Sequence, residues 1–127
     1  MARILIAEDD PITQKLLFRI IEKMGHTPFI SPNGKHAWEA LQSNNHFDML
    51  ISDLMMPEMD GRELIQLMRN TTKYMKFPII LISAVIKISE ISDLLDMGAS
   101  SFLGKPIDRN DLQNNIDQLL PEGVTSS

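Results

Sequence analysis

The sequence predicts an α/β protein with a doubly wound parallel sheet of five strands, covered on both faces by five helices. Apolar runs alternate along the chain with amphipathic helical patterns, which is typical of βαβ units. The first, third and fourth runs are rich in Ile, Leu and Met, as expected of central strands that are buried on both faces. These two observations also favour a single domain rather than separate α and β parts.

Five short segments are predicted as strands. The second contains Pro28, which cannot donate a ladder hydrogen bond and therefore favours an edge, and the short fifth segment suits the opposite edge. The flavodoxin-like strand order 2-1-3-4-5 places both of them at edges. The predicted ranges are Arg3–Ala7, Thr27–Ser31, Phe47–Ser52, Pro78–Ile82 and Ser101–Leu103.

Capping residues predict where the helices begin. Pro11 suits the first position of helix one, and Glu63 follows Asp60 by three residues, as in a capping box. Gly25 and Gly98 are expected to end helices one and four, because glycine readily adopts the left-handed conformation found there. The predicted N-cap residues are Asp10, Asn33, Asp60 and Asp108.

Two helices carry apolar stripes that are predicted to face the sheet. In helix one the stripe comprises Leu16, Leu17, Ile20 and Ile21. In the last helix it comprises Leu112, Ile116, Leu119 and Leu120. Trp38 is expected to pack at the edge of the stripe of helix two. The histidines lack metal-ligand spacing and are expected on the surface; they are His26, His36 and His46.

Composition narrows the function classes. The chain has 127 residues, 43% of them hydrophobic and 23% charged, which fits one globular domain. We expect this domain to cover residues 1–121 and a flexible tail or linker to cover residues 122–127. The absence of cysteine excludes disulfides and thiolate metal sites.

Charge and hydropathy exclude some classes of partner and indicate a cellular compartment. A net charge of −5 with scattered Lys and Arg argues against direct nucleic-acid binding. No apolar run approaches the roughly 20 residues of a membrane span, and no signal peptide precedes the first strand. We therefore expect a cytoplasmic location and no membrane partner.

Polar residues follow four of the predicted strands, at the point where each strand ends. Because the carboxyl ends of parallel strands meet at one edge of the sheet, these residues are expected to form one site. The segments are Glu8-Asp9-Asp10, Asp53, Ser83-Ala84 and Lys105-Pro106. The site would combine carboxylates, a hydroxyl and an ammonium, which suits a divalent cation and a phosphoryl group.

Mg²⁺ is the cation that these residue types favour. Adjacent carboxylates repel one another unless a cation lies between them, and Mg²⁺ needs fewer protein carboxylates than Ca²⁺ does. With the cation in place, Asp53 could attack phosphorus and form an aspartyl phosphate. Lys105 would balance charge on the phosphoryl oxygens, and Ser83 would donate a hydrogen bond to one of them. Asp10 is expected to act only as a helix cap.

The motifs around these residues resemble a response-regulator receiver domain of two-component signalling, of the chemotaxis-regulator type. The resemblance extends over essentially the whole chain. It is carried by Ile4-Leu5-Ile6-Ala7-Glu8-Asp9-Asp10-Pro11, Ile51-Ser52-Asp53-Leu54-Met55-Met56-Pro57-Glu58-Met59-Asp60-Gly61, Leu81-Ile82-Ser83-Ala84 and Phe102-Leu103-Gly104-Lys105-Pro106.

The resemblance implies that Asp53 is the phosphorylated residue. It also implies that Asp9 binds Mg²⁺ directly, that Glu8 binds it through water, and that Met55 contributes its backbone carbonyl. Such a domain is a phosphorylation switch, which accelerates only its own phosphorylation and dephosphorylation.

The resemblance further assigns the residues that respond to the phosphoryl group. Ser83 takes the Ser/Thr switch position, and Lys105 takes the position of the phosphate-contacting lysine. Phe102 takes the aromatic switch position, although an aromatic residue near an edge strand also suits simple packing. The Lys105-Pro106 peptide bond is expected to be cis, as is usual in relatives.

The implied partners are a histidine kinase or histidine phosphotransfer protein and a downstream target or output domain. The exposed side of helix one, with Ile12, Lys15 and Arg19, resembles the surface where relatives dock the phosphodonor. The face formed by helix 4, strand 5 and helix 5 resembles their target-binding face. A phosphorylation-dependent dimer is a further expected partner arrangement. The apolar residues Val85, Ile86 and Ile88 suit either local core or a partner patch.

Two other function classes remain open on the residues alone. A Mg²⁺-dependent phosphohydrolase would place a second acid two residues after the nucleophile, where this chain has Met55. An unphosphorylated interaction module would have no need of the complete set of acids, hydroxyl and lysine. Nucleotide binding is disfavoured because no glycine-rich loop follows strand one.

Met55 and Val85 lie two positions after Asp53 and Ser83, where the resemblance places residues that tune the lifetime of the phosphoryl group. Neither side chain can position an attacking water by hydrogen bonding. We therefore predict slow loss of the phosphoryl group.

Overall fold

The computed structural model describes residues 1–43, 46–84 and 87–120 and has the predicted fold class. Its five parallel strands have the order β2-β1-β3-β4-β5. The strands are β1 Arg3–Ala7, β2 Thr27–Ser31, β3 Met49–Asp53, β4 Ile79–Ser83 and β5 Ser101–Gly104. The helices are α1 Pro11–Lys23, α2 Gly34–Gln42, α3 Gly61–Arg69, α4 Ile88–Met97 and α5 Arg109–Leu119, with a 3-10 turn at Thr72–Tyr74.

The sheet separates two apolar cores, because successive strand residues point to opposite faces. In β1, Leu5 joins the core that is covered by α2, α3 and α4. Its neighbours Ile4 and Ile6 join the core that is covered by α1 and α5. All residues of β3 and β4 are buried, as predicted for central strands. This double cover holds the ends of the central strands rigidly in place.

The predicted ends of three strands were wrong by one or two residues. Strand β3 begins at Met49 rather than Phe47 and includes Asp53, while β4 includes Ser83 and β5 reaches Gly104. The strands extend because Asp53 pairs with Ile82, and Ser83 pairs with Gly104, in the ladder. Asp53 and Ser83 therefore belong to the sheet rather than to the loops that follow it.

The helix boundaries agree with the predicted caps. The side chain of each predicted N-cap residue accepts a hydrogen bond from the backbone N–H three positions later: Asp10 from Thr13, Asn33 from His36, Asp60 from Glu63 and Asp108 from Asp111. Gly25 and Gly98, which follow α1 and α4, have φ values of 88° and 120°. Trp38 packs against the core at the edge of α2, as predicted.

Two burial predictions were wrong. Leu16 is exposed, and the stripe of α1 continues instead through buried Met24, which follows Leu17 at the helical spacing of seven residues. His26 is buried rather than exposed, because its Nδ1 accepts a hydrogen bond from the backbone N–H of Ala2 at 2.9 Å. This contact fixes the chain where it enters β1.

Some predictions fall outside the described residues. These are the domain boundary at residue 121, the tail 122–127, and the roles of Val85 and Ile86. Within the described ranges, none of the helices has the length and apolar character needed to span a membrane.

Candidate phosphoacceptor and metal site

The polar segments predicted to form one site meet where the parallel strands end, at what we call the carboxyl edge. Backbone hydrogen bonds fix their positions. The N–H of Glu8 donates to Ser31 O at 3.0 Å, and the N–H of Leu54, directly after Asp53, donates to Ile82 O at 2.9 Å. The N–H of Lys105 donates to the carbonyl of Ser83 at 3.0 Å. The sheet itself therefore brings the four segments together.

Three carboxylates converge at this edge. Glu8, Asp9 and Asp53 each offer an oxygen, and these oxygens all lie within 4.8 Å of one another. Glu8 and Asp53 are only 1% and 7% exposed, whereas Asp9 is exposed. Such close acids in a partly buried setting repel one another strongly unless positive charge compensates them.

Lys105 supplies part of that compensation. Its Nζ lies 2.9 Å from Glu8 Oε1 and 3.0 Å from Asp53 Oδ2. Burial raises the pKa of Glu8 to about 7, against the opposing effect of the Lys105 ammonium. Burial by itself would lower the pKa of Lys105, but the contacts with Glu8 and Asp53 outweigh it and the pKa is raised. One ammonium is thus shared between two carboxylates.

The donor set fits a hard cation. The Glu8 side chain is almost fully buried, and its Oε1 shares the Lys105 ammonium with Asp53. Three carboxylates beside one ammonium gain from a further cationic partner. Oxygen ligands in a carboxylate-rich cluster suit Mg²⁺.

Asp10 lies beside this cluster but belongs to α1, as predicted. Its carboxylate accepts hydrogen bonds from the backbone N–H and the hydroxyl of Thr13, at 3.0 and 2.7 Å. These hydrogen bonds lower the pKa of Asp10. Its N–H donates to Glu8 Oε2 at 3.1 Å, which orients the Glu8 side chain.

Gly61, at the start of α3, permits a close approach to Asp53. A Cβ at this position would lie 2.7 Å from the backbone oxygen of Asp53. The N–H of Gly61 also donates to Leu54 O at 2.9 Å. Gly61 therefore permits the close packing of α3 against Asp53 and also begins the helix.

A cleft of about 350 Å³ opens beside Asp53. Buried Ser83 lies in its wall, as the predicted role requires, and Met55 forms an exposed part of the wall. Arg62 and Glu90 also line the cleft. Neither residue could be predicted from the sequence, because they lie on α3 and α4 and follow no strand end.

Phe102 is half-buried and packs against the core that α2, α3 and α4 cover. This position agrees with the packing interpretation, and the aromatic switch role stays a prediction. The N–H of Met55 lies 3.4 Å from Asp53 Oδ1, while ligation by its carbonyl also stays a prediction. The Lys105–Pro106 bond is cis, as expected.

Residues 4–117 match the family model described as the response regulator receiver domain. The chain is 32% identical over 120 residues to the 3',5'-cyclic-nucleotide phosphodiesterase regA of Dictyostelium discoideum, covering 93% of this chain and 15% of that protein. A chemotaxis protein CheY homolog of Campylobacter jejuni is 27% identical over 122 residues, covering 95% of this chain and 94% of the relative. The chain thus spans about 15% of the length of the first relative and almost all of the second.

The fold is also similar to solved structures. The signal receiver domain of a signal transduction histidine kinase from Syntrophus aciditrophicus superposes with a TM-score of 0.86 at 30% sequence identity. The match covers 100% of this chain and 99% of that domain.

Proposed function

This chain belongs to the response regulator receiver domain family of two-component signalling, and we propose that it accepts a phosphoryl group on Asp53. The observation that carries the proposal is the cluster of three acids within 4.8 Å of one another, with the Lys105 ammonium between Glu8 and Asp53. A structural salt bridge would need one carboxylate, whereas phosphoryl transfer needs a nucleophile, a cation site and a phosphate contact.

Each residue then has one task. An Asp53 oxygen attacks phosphorus and forms the O–P bond, while the N–P bond of the donor phosphohistidine breaks and its electron pair returns to the imidazole. Lys105 and Ser83 contact the phosphoryl oxygens. Lys105 is already 3.0 Å from the attacking carboxylate, so little movement is needed. Phe102 would follow Ser83 when the site rearranges.

Glu8, Asp9 and Asp53 would hold Mg²⁺, with the backbone carbonyl of Met55. When bound, the ion neutralises the carboxylates and the oxygens of the incoming phosphoryl group. The chain's own contribution is to keep these oxygens together at the ends of two buried strands, β1 and β3.

Two exposed surfaces support the proposed partners. On α1, Ile12 is 78% exposed and lies near the exposed Lys15 and Arg19, which suits docking of a histidine kinase or a phosphotransfer protein. On α4, Ile88 and Leu95 are exposed seven residues apart, hence on one helix face, which suits a target or a phosphorylation-dependent dimer. The proposal includes the cytoplasmic location expected from the sequence, which cell fractionation would test.

The test is phosphorylation by a small donor. Wild type and Asp53→Asn are incubated with phosphoramidate and Mg²⁺, and intact mass is measured, with EDTA in parallel. We expect one added phosphoryl group on wild type with Mg²⁺, and little or none with EDTA or on the variant. Equal labelling of Asp53→Asn, or none on wild type while a control receiver domain is labelled, would contradict the proposal. Turnover of p-nitrophenyl phosphate would instead favour the phosphohydrolase.

A further inference from the structure

A second cavity, of about 550 Å³, lies at the opposite end of the sheet. Its walls are residues 46–48, which precede β3, and residues 72–78, which precede β4. Because β3 and β4 are parallel neighbours, this position is the amino edge of the same two strands that end in Asp53 and Ser83. The cavity therefore takes no part in the phosphoacceptor site, and its volume is typical of a small-molecule pocket.

Aromatic rings form much of the wall. Phe47 and Tyr74 are each only 6% exposed, and Phe77 is half-buried. The rings of Tyr74 and Phe77 meet edge to face with centroids 5.4 Å apart, and Phe47 meets Phe29 in the same way at 5.3 Å. The half-buried Phe77 ring therefore offers a planar aromatic guest more exposed surface than Phe47 or Tyr74 do.

The wall is held in place by hydrogen bonds. The hydroxyl of Tyr74 donates to the carbonyl of Leu41 in α2. The Arg69 guanidinium donates to the carbonyl of Tyr74 at 2.6 Å from one side and to that of Gly98 from the other, at 3.0 and 2.7 Å. The pocket is therefore formed before any ligand arrives, which reduces the entropic cost of binding.

The net charge at the rim is positive, because two lysines face one acid. Asp48, the acid in the wall, contacts His46 Nε2 through Oδ1 at 3.1 Å, and its Oδ2 accepts from the N–H of Arg3 at 2.8 Å. Lys73 and Lys76 are exposed, and neither forms an ion pair with any described residue. The Lys73 ammonium lies 5.5 Å from the centroid of the Tyr74 ring, so it is already held at the aromatic wall.

We propose that this pocket binds a small aromatic anion. The planar ring would lie among Phe47, Tyr74 and Phe77, and its carboxylate or sulfonate would face Lys73 and Lys76. A neutral aromatic compound would use the ring contacts alone and bind more weakly. An aromatic cation would be repelled by the two lysines.

The probes are 8-anilinonaphthalene-1-sulfonate and its uncharged analogue N-phenyl-1-naphthylamine. Trp38 is the chain's single tryptophan and lies 6.3 Å from the Tyr74 ring, so energy transfer from Trp38 to either probe measures binding to the protein, and amide chemical shifts locate the bound probe. The variant Lys73→Gln/Lys76→Gln removes both rim charges. The matched control, Lys23→Gln/Lys35→Gln, removes two exposed lysines from other parts of the surface.

We expect the sulfonate to bind wild type and the control variant equally, and to bind Lys73→Gln/Lys76→Gln about tenfold more weakly. The neutral analogue should bind all three proteins alike. Amide chemical shifts should move at residues 46–48 and 72–78. Equal affinity of the sulfonate for both double variants, or shift changes confined to other segments, would overturn the proposal.

Discussion

At the carboxyl edge of the sheet, three acids lie within 4.8 Å of one another and two of them share the ammonium of Lys105. At the amino edge, a half-buried cation is treated differently. Arg69 donates three hydrogen bonds to the backbone carbonyls of Gly98 and Tyr74, which carry no net charge. The first arrangement gains from a further cation, whereas the second holds its cation with neutral groups of the chain itself.

The comparison shows how to separate a functional charge cluster from a structural one in the same fold. A structural cluster satisfies its polar groups in the folded chain, so losing a member costs stability and no added ligand restores it. A functional cluster retains excess charge of one sign, so an added ion can substitute for a missing member.

Arg69→Met should lower the free energy of unfolding by about 2–4 kcal/mol, because it removes three hydrogen bonds from a charged donor to backbone carbonyls. Burial lowers the pKa of Arg69, which agrees with its enclosed position. Urea unfolding measures the change. Arg62→Met on the same helix is the control, since within the described residues the contact of the Arg62 side chain is a weak one, 3.9 Å from Met97 Sδ. Equal losses for the two variants would contradict the structural role of Arg69.

Lys105→Met should lower the free energy of unfolding by about 1–2 kcal/mol in EDTA, because Glu8 and Asp53 lose their shared counter-charge at a partly exposed site. Saturating Mg²⁺ should recover most of this loss. The deficit of Arg69→Met should be the same with and without Mg²⁺. If the loss of stability in Lys105→Met were the same with and without Mg²⁺, the two edges would not differ in this way.

The two edges should also respond to acid in opposite directions when metal is removed with EDTA. Burial raises the pKa of Glu8 from its ordinary 4.5 to about 7, so between these values the folded state holds a proton that the unfolded state releases. Glu8 therefore makes the protein more stable as pH falls through this window. Burial lowers the pKa of His26 below 6.5, so His26 makes the protein less stable as pH falls below 6.5.

Urea unfolding between pH 7 and pH 5 covers both effects, and each group changes the slope by at most about 1.4 kcal/mol per pH unit. Glu8→Gln should make the change in stability on acidification less favourable, because the stabilising contribution of Glu8 is then absent. His26→Asn should make that change more favourable. Slopes that change in the same direction in both variants would contradict the opposite effects of these groups.

Met55→Asn should shorten the half-life of the phosphorylated protein by a few-fold, because an amide can hold an attacking water where a thioether cannot. Met55 is 72% exposed in the wall of the cleft, so the substitution should leave the fold intact. Met75→Asn, at an exposed methionine of the amino edge, is the control. Equal half-lives in the two variants would remove Met55 as a determinant of phosphate lifetime.

Much of the carboxyl edge could be predicted from the sequence because its residues follow strand ends. An apolar run followed by an acid, repeated along the chain, is enough to place Glu8 and Asp53 together once the sheet is parallel. The exact strand ends could not be predicted, since Asp53 and Ser83 belong to the ladder through pairs with Ile82 and Gly104. The polar side chains of these residues predicted a loop, but pairing with the neighbouring strand extends the ladder to include them.

Most contacts at the amino edge could not be predicted from the sequence. His26 is buried because the N–H of Ala2 needs an acceptor, a contact over 24 positions that leaves no local pattern. Arg69 looks like an ordinary basic residue in the last turn of α3, and its partner Gly98 is 29 positions away. In α1, away from the amino edge, Leu16 and Leu17 are adjacent apolar residues, and only packing against the sheet decides that Leu17 is the buried one.

Asp53, at the carboxyl edge, is the proposed site of the aspartyl phosphate. Borohydride reduces an acyl phosphate to the alcohol, so a phosphorylated aspartate is converted to homoserine and can be located by peptide sequencing in a mass spectrometer. After treatment with phosphoramidate and Mg²⁺, we predict homoserine at position 53 and at no other acid of the cluster. Homoserine at position 8 or 9, or its absence from position 53 in phosphorylated protein, would contradict the account.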